Sequence, residues 1–353
     1  MKIIWGVFAL TLLTSCERNT APPQPSTQLP TANSTTSTAG ADQTAIQRKS
    51  VQLWDDTGRQ LQQFTASCET LQTTVAQLLL TPDDSHLQAA QHQWRQTHGQ
   101  LRQLAIPMAL ATHNPGLFTP LAQALSSIDQ QPIAAGYLDS VTGYPHSGLI
   151  NDISLDINHT HLRQQHGLTA ANEASLGLHP LEFILFGETG QRRAADFVQA
   201  TAGTATLLDP HNRRRDYLTV ASTLLCDDSA ALTRQWIDPQ SPIAAPYFAL
   251  TPAERLQLWQ QMLSHELASL SSPQATQHCE FAANGCSVRW RQQGLNHFII
   301  EAEDLLPILT KQQKTQWLSA AAALRTALST EPSNDAAARQ AVSALAQALN
   351  DRD

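Results

Sequence analysis

Several absences narrow the reading of this 353-residue chain. Cysteine is scarce: five occur, at 16, 68, 226, 279 and 286, too few and too scattered for a disulfide scaffold or a four-cysteine zinc module, so folding rests on packing. Lys and Arg number 22 against 30 Asp and Glu, and no basic run offsets the net charge of −8, which argues against a nucleic-acid surface. Only seven Val follow Cys16, and no long stretch alternates apolar with polar residues, so strands lack both their preferred side chains and their period. The longest apolar run near the N-terminus, Ile3 to Leu13, is too short to span a bilayer.

That run suits the core of an export signal, and it ends in Leu13-Thr14-Ser15-Cys16. The four residues resemble the lipobox of bacterial lipoproteins, in which cleavage leaves an acylated N-terminal cysteine. Residues 1–16 are therefore expected to be a signal peptide with Cys16 as lipid anchor. Glu17 rather than Asp after it favours the outer membrane, facing the periplasm. Residues 17–44, mostly Thr, Ser, Pro, Ala and Gln, cannot bury enough surface to offset their ordering entropy and read as a disordered tether.

The rest reads as all-α, with at least eight helices. Trp54, Leu61, Cys68 and Val75 recur at seven, with Phe64, Leu71 and Leu78 interleaved, giving one long apolar stripe. Thr81-Pro82-Asp83-Asp84 predicts an N-cap at Thr81 and a first-turn proline for a second helix carrying Leu87, Ala90, Trp94, Leu101 and Leu104 on one face. Residues 129–158, with Pro132, Gly136, Gly143, Pro145 and Gly148, predict a long irregular connection. Thr251-Pro252-Ala253-Glu254 is a capping box. The expected architecture is two helical-bundle-like lobes, 45–188 and 189–353. Asn284-Gly285 is a turn pair that would let Cys279 and Cys286 form a disulfide.

The sharpest local signal is Gly177-Leu178-His179-Pro180-Leu181-Glu182-Phe183-Ile184-Leu185-Phe186-Gly187. His179 and Glu182, three apart, leave one helical face, so an imidazole and a carboxylate can meet one divalent cation. Pro180 requires that His179 lie at a helix start or a kink. The segment resembles the Gly-x-His-x-x-Glu signature of imelysin-like proteins. Trp94-Arg95, Ile128-Asp129, Tyr137-Leu138-Asp139, Ser147 to Asp152 and Arg213 to Leu218 resemble further landmarks of that family in the same order. The resemblance implies an all-helical fold of two bundle-like halves with the His-x-x-Glu region facing a cleft between them. It also implies an exported, often lipid-anchored and iron-regulated protein, classed by descent among metallopeptidases and related to components of iron or haem uptake.

Hydrolysis by zinc needs three protein ligands and a base. His-Glu-x-x-His is absent, and Phe183 stands where the inverted motif needs a second His. Binding of iron, zinc, copper or an iron chelate demands less. The metal residues expected are His179 and Glu182. Asp152, Glu69 and Arg95 are candidates to complete the site, Arg95 by pairing with an anionic group. His297, Glu301 and Asp304 form another helical face with ligand chemistry, while His159, His161 and His166 read as surface residues. A haem would need an axial ligand in an apolar pocket, which His179 beside Leu178, Phe183 and Phe186 permits. The alternatives are a secreted metallopeptidase and a lipoprotein that binds a non-metal ligand or polysaccharide. The expected partners are the membrane, through the lipid anchor, and iron or haem uptake components.

Overall fold

A computed structural model describes residues 36–200, 210–272, 288–302, 311–330 and 335–350. Among the described residues there is no strand, only an isolated bridge between Val141 and Tyr144. Helices follow in the order α1 (Thr36–Leu80), α2 (Asp84–Gln103), α3 (Ala105–Met108), α4 (Leu110–His113), α5 (Thr119–Asp129), α6 (Ala135–Leu138), α7 (His159–Gln165), α8 (Leu178–Phe186), α9 (Pro210–Ile237), α10 (Ala244–Ala249), α11 (Pro252–Ser271), α12 (Val288–Ala302), α13 (Lys311–Ser329) and α14 (Asp335–Asn350). A 3-10 turn at Ala194–Phe197 precedes α9. Residues 42–353 form one compact unit.

The seven-residue stripe of α1 is buried along its length, from Trp54 to Leu78. It lies against α9, which runs the opposite way. Trp54 and Trp236 stack at 3.9 Å, and each indole Nε1 donates to the other's carbonyl, at 2.9 and 3.0 Å. Further along the seam Thr233 Oγ1 donates to Leu61 O at 3.2 Å, Gln72 Nε2 to Thr223 Oγ1 at 2.8 Å, and Arg215 Nη1 to Leu79 O at 2.7 Å. Each indole N–H buried in the stripe is thus satisfied by the helix that covers it.

Three local expectations change. α1 begins at Thr36, inside the 17–44 stretch read as a tether, because a helix once nucleated by its buried stripe propagates into the preceding chain at one hydrogen bond per residue. The cap of α2 is Asp83, whose carboxylate accepts from His86 N at 2.9 Å; Thr81 still closes α1 through its N–H to Gln77 O. Pro82 therefore precedes the cap and is not in the first turn. The Thr251–Glu254 box forms as its sequence dictates, with Thr251 N donating to Glu254 Oε2 at 2.8 Å and Glu254 N to Thr251 Oγ1 at 3.3 Å. Cys16, Cys279, Cys286 and Asp304 lie outside the described residues; Cys68 and Cys226 are free thiols.

The irregular connection after α5 is held by arginines of α9. Arg213 donates to four of its carbonyls, those of Leu149, Ile150, Asp152 and Leu155, at 2.7–2.9 Å. Asp139 is fully buried and takes both Arg214 Nε and Nη2, at 2.6 and 3.0 Å, and Arg192 Nη2 at 3.0 Å. Arg192 Nε also donates to Ile184 O at 2.9 Å, which ties the end of α8 to this network. A non-helical segment has carbonyls without ladder partners, and here guanidinium groups supply the donors.

Candidate metal centre

α8 is apolar on every face, and all nine of its residues are buried, as a helix without a polar side must be. His179 and Glu182 are its two polar exceptions, exposed by only 1% and 2%. The helix starts at Leu178, so Pro180 falls in the first turn, where its missing N–H costs nothing. Gly177 makes the approach possible. Its φ is +98°, and a Cβ built on it would stand 2.6 Å from Ile128 O and 2.9 Å from Ser127 O. A glycine therefore lets the start of α8 touch the end of α5, where Asp129 is the last residue. His166 fastens the same junction: its Nδ1 accepts from Ser175 N and Leu176 N, at 3.3 and 3.2 Å, which leaves Nε2 to donate to Ser126 O at 3.0 Å. His166 is thus a half-buried connector rather than the surface residue expected.

α2 lies along α8 in the opposite direction. Gln91 Nε2 donates to Leu185 O at 2.9 Å, Trp94 Nε1 to Leu178 O at 2.8 Å, the Arg95 guanidinium covers the Phe186 ring at 4.7 Å, and the His98 ring meets that of His179 at 5.1 Å. On the outer flank of His98, Trp290 of α12 stands edge-on at 5.8 Å. It has room because position 99 is glycine, where a Cβ would lie 2.6 Å from its ring.

The polar groups then fall into a definite order. His179 Nδ1 is 3.0 Å from Glu182 Oε2. The other nitrogen, Nε2, faces Asp129 Oδ1 at 3.2 Å, and His98 Nε2 lies 3.9 Å from the same oxygen. One donor atom from each of His98, Asp129 and His179 falls within 4.8 Å of the other two. Arg102 Nη1 holds Asp129 Oδ2 at 3.2 Å. Asp129 closes α5, where the negative end of the helix disfavours a carboxylate; Arg102 and the imidazoles offset that.

Electrostatics separate the two imidazoles. Burial, followed by the charge of His179, pushes His98 down to about 3, so it is neutral and able to ligate. Burial also works against the charged form of His179, but the close contact and charge of Asp129, with the hydrogen bond and charge of Glu182, outweigh it and raise the group to about 9. Asp129 is held far below the ordinary carboxylate range: burial opposes this, and the close contact of the His179 imidazole and the charge of Arg102 prevail.

With Glu182 accepting from Nδ1–H, a neutral His179 would aim its Nε2 lone pair at a carboxylate. That arrangement is stable only with something positive between them, a second proton or a metal ion. His179 Nε2 and Asp129 Oδ1 are also buried atoms without a well-directed hydrogen bond, despite their separation. Ligands about 2.1 Å from one ion stand roughly 3.0–3.4 Å apart. The His179–Asp129 distance already meets this, and His98 is about half an ångström wide of it. The donor set fits a borderline divalent cation.

The structure places the other expected residues as follows. Arg95 lies beside Glu182, whose charge acts on it. Glu69 is exposed on α1. Asp152 is exposed and closes a turn over Ser154 N at 2.9 Å. His297 Nε2 pairs with Asp56 Oδ2 at 2.7 Å, and Glu301 Oε2 accepts from Gln52 Nε2 at 3.1 Å, so these two join α12 to α1 in a seam of their own. His98 and Asp129 had not been read from the sequence as site residues. The signal for His98 was present: it falls four after Trp94, inside the apolar stripe of α2.

The model of the imelysin family, peptidase family M75, matches residues 59–352. No curated protein matches the chain significantly. Among solved structures, a protein from Parabacteroides distasonis described as an iron-regulated protein A precursor aligns with a TM-score of 0.54 and 13% identity, over 83% of this chain and 89% of that one. At that identity the likeness concerns the fold.

Proposed function

Because this chain belongs to the imelysin family, we propose that it is an exported, lipid-anchored envelope protein that binds a divalent metal or iron chelate as cargo. In this reading His98, Asp129 and His179 hold the ion, and Glu182 orients His179 from behind through Nδ1. The observation that carries it is the convergence of two imidazoles and one carboxylate in a buried site, where the facing His179 Nε2 and Asp129 Oδ1 lack directed partners. Iron as the cargo is supported by the description of the structural neighbour as iron-regulated. Envelope attachment is supported by the signal-like N-terminus with Cys16. No helix among the described residues is long and apolar enough to cross a membrane.

Binding accounts for the geometry better than hydrolysis does. A hydrolytic site would need a base beside the ion's open position, whereas Glu182 is engaged on the Nδ1 side of the ring, away from Nε2. The test is metal content of the purified mature protein by elemental analysis. Wild type is expected to hold about one equivalent, and His98→Ala and His179→Ala to lose it; equal content in all three would overturn the assignment. Cleavage of an unfolded protein substrate that disappears in His179→Ala would restore the peptidase.

A further inference from the structure

The charges around the centre do not close for a metal ion alone. Two carboxylates, Asp129 and Glu182, are matched by two guanidiniums, Arg102 and Arg95. Ligating imidazoles are neutral. A bound dication would therefore leave its whole charge uncompensated in a buried place, where an unpaired charge is strongly disfavoured. An ordinary cation site collects carboxylates; this one has brought in as many cations.

Arg102 holds Asp129 through Nη1, yet each arginine keeps donor capacity unspent. Arg95, His98 and Arg102 lie at i, i+3 and i+7 on one face of α2, so a guanidinium flanks the imidazole on either side. The Nε atoms of Arg95 and Arg102 are both buried without a hydrogen-bond partner. Arg95 has its flat face on Phe186, which fixes the plane of the fork and leaves its edge for a ligand. A buried guanidinium N–H without an acceptor calls for an oxyanion, which guanidinium recognises in bidentate fashion.

We propose that the site takes its metal together with a small oxygen-donor anion, a carboxylate chelate or bicarbonate, which would close the ion's coordination and pair with Arg95, and with Arg102 on the far side of His98. This rests on the metal reading above and adds the class of cargo: an anionic metal complex rather than the naked ion. Three protein donors leave positions for such a ligand, and its charge supplies what the carboxylates do not.

The full mature chain is loaded with Co2+ in the presence of radiocarbon-labelled citrate or labelled bicarbonate, desalted, and counted for both metal and anion. The expected result is one anion retained per Co2+, and none without Co2+. Arg95→Gln should retain at least about tenfold less anion, with Co2+ falling alongside it, and Arg95→Lys, which keeps the charge, should restore much of both. Retention of citrate alone identifies an organic chelate as the source, and retention of bicarbonate alone an inorganic co-ligand. Co2+ bound at one equivalent with neither anion, anion retained without Co2+, or anion retained undiminished in Arg95→Gln would each overturn the inference while leaving the metal reading intact. If wild type retains no Co2+ under any condition, the metal reading fails and this inference with it.

Discussion

Gly177→Ala tests how the centre is assembled, since the change adds one methyl group at a position that touches no ligand. Two costs can be worked out. A non-glycine residue held at φ +98° costs about 1–2 kcal/mol. The new Cβ would also stand 2.6 Å from Ile128 O, where ordinary contact begins at 3.4 Å, so the start of α8 must withdraw from the end of α5 by about 0.8 Å. Ile128 precedes Asp129, and His179 is two residues beyond the glycine. The same withdrawal stretches the 3.2 Å His179–Asp129 contact toward about 4 Å. Overpacking of this size adds about 1–2 kcal/mol, so the total is about 3 kcal/mol, which lowers Tm by roughly 5 °C or more. Affinity for a divalent ion falls by about tenfold, as expected when a ligand is displaced. Gly116→Ala is the control: no atom lies within 4 Å of its Cβ, and the change should stay within about 0.5 kcal/mol. Thermal unfolding and metal titration of the three proteins decide the matter. If Gly177→Ala unfolds and binds metal like Gly116→Ala, the close approach of α8 to α5 does not build the site.

Asp139→Asn should cost about 3–5 kcal/mol, read as a lower midpoint of chemical denaturation, because it leaves Arg214 and Arg192 without their buried counter-charge. A midpoint shifted by less than a quarter of that would show the network to be dispensable. The metal-free protein should also lose stability in mild alkali. His179 is raised from 6.5 to about 9, so its contribution is complete below pH 6.5 and is lost as pH rises through about 9. A loss of stability over that window on the order of 3 kcal/mol, read as a falling Tm that His179→Gln no longer shows, is expected; a variant with the wild-type slope would assign the effect to another group.

How much of this was legible depended on the range of the interaction. The α1 stripe, the Thr251–Glu254 box and the placement of Pro180 in a first turn are local patterns, and the chain folds accordingly. The cap of α2 was misplaced by two residues because Thr81 and Asp83 are both good caps, and only the last turn of α1, which claims Thr81, decides between them. The site was half visible. His179 and Glu182 share a helix and so share a face, but the partners on the far side of the ring come from α2 and α5, 81 and 50 residues upstream. Periodicity cannot say which helices touch. His98 occupies an apolar stripe, where an imidazole reads as a core residue, and Asp129 ends a helix, where a carboxylate is ordinary apart from its sign. What could be read was the misfit: a polar side chain within a face otherwise built for burial. The Glu182 carboxylate, expected to share an ion with His179, instead occupies the opposite nitrogen of the ring, an arrangement that three-residue spacing allows equally well.

The most direct test of the central claim is anomalous diffraction from crystals of the metal-loaded protein, recorded at the absorption edge of the bound ion. The account predicts one peak between His98 Nε2, Asp129 Oδ1 and His179 Nε2, with Glu182 still on His179 Nδ1. A peak bridging His179 and Glu182, or no peak near His179 in loaded crystals, would contradict it.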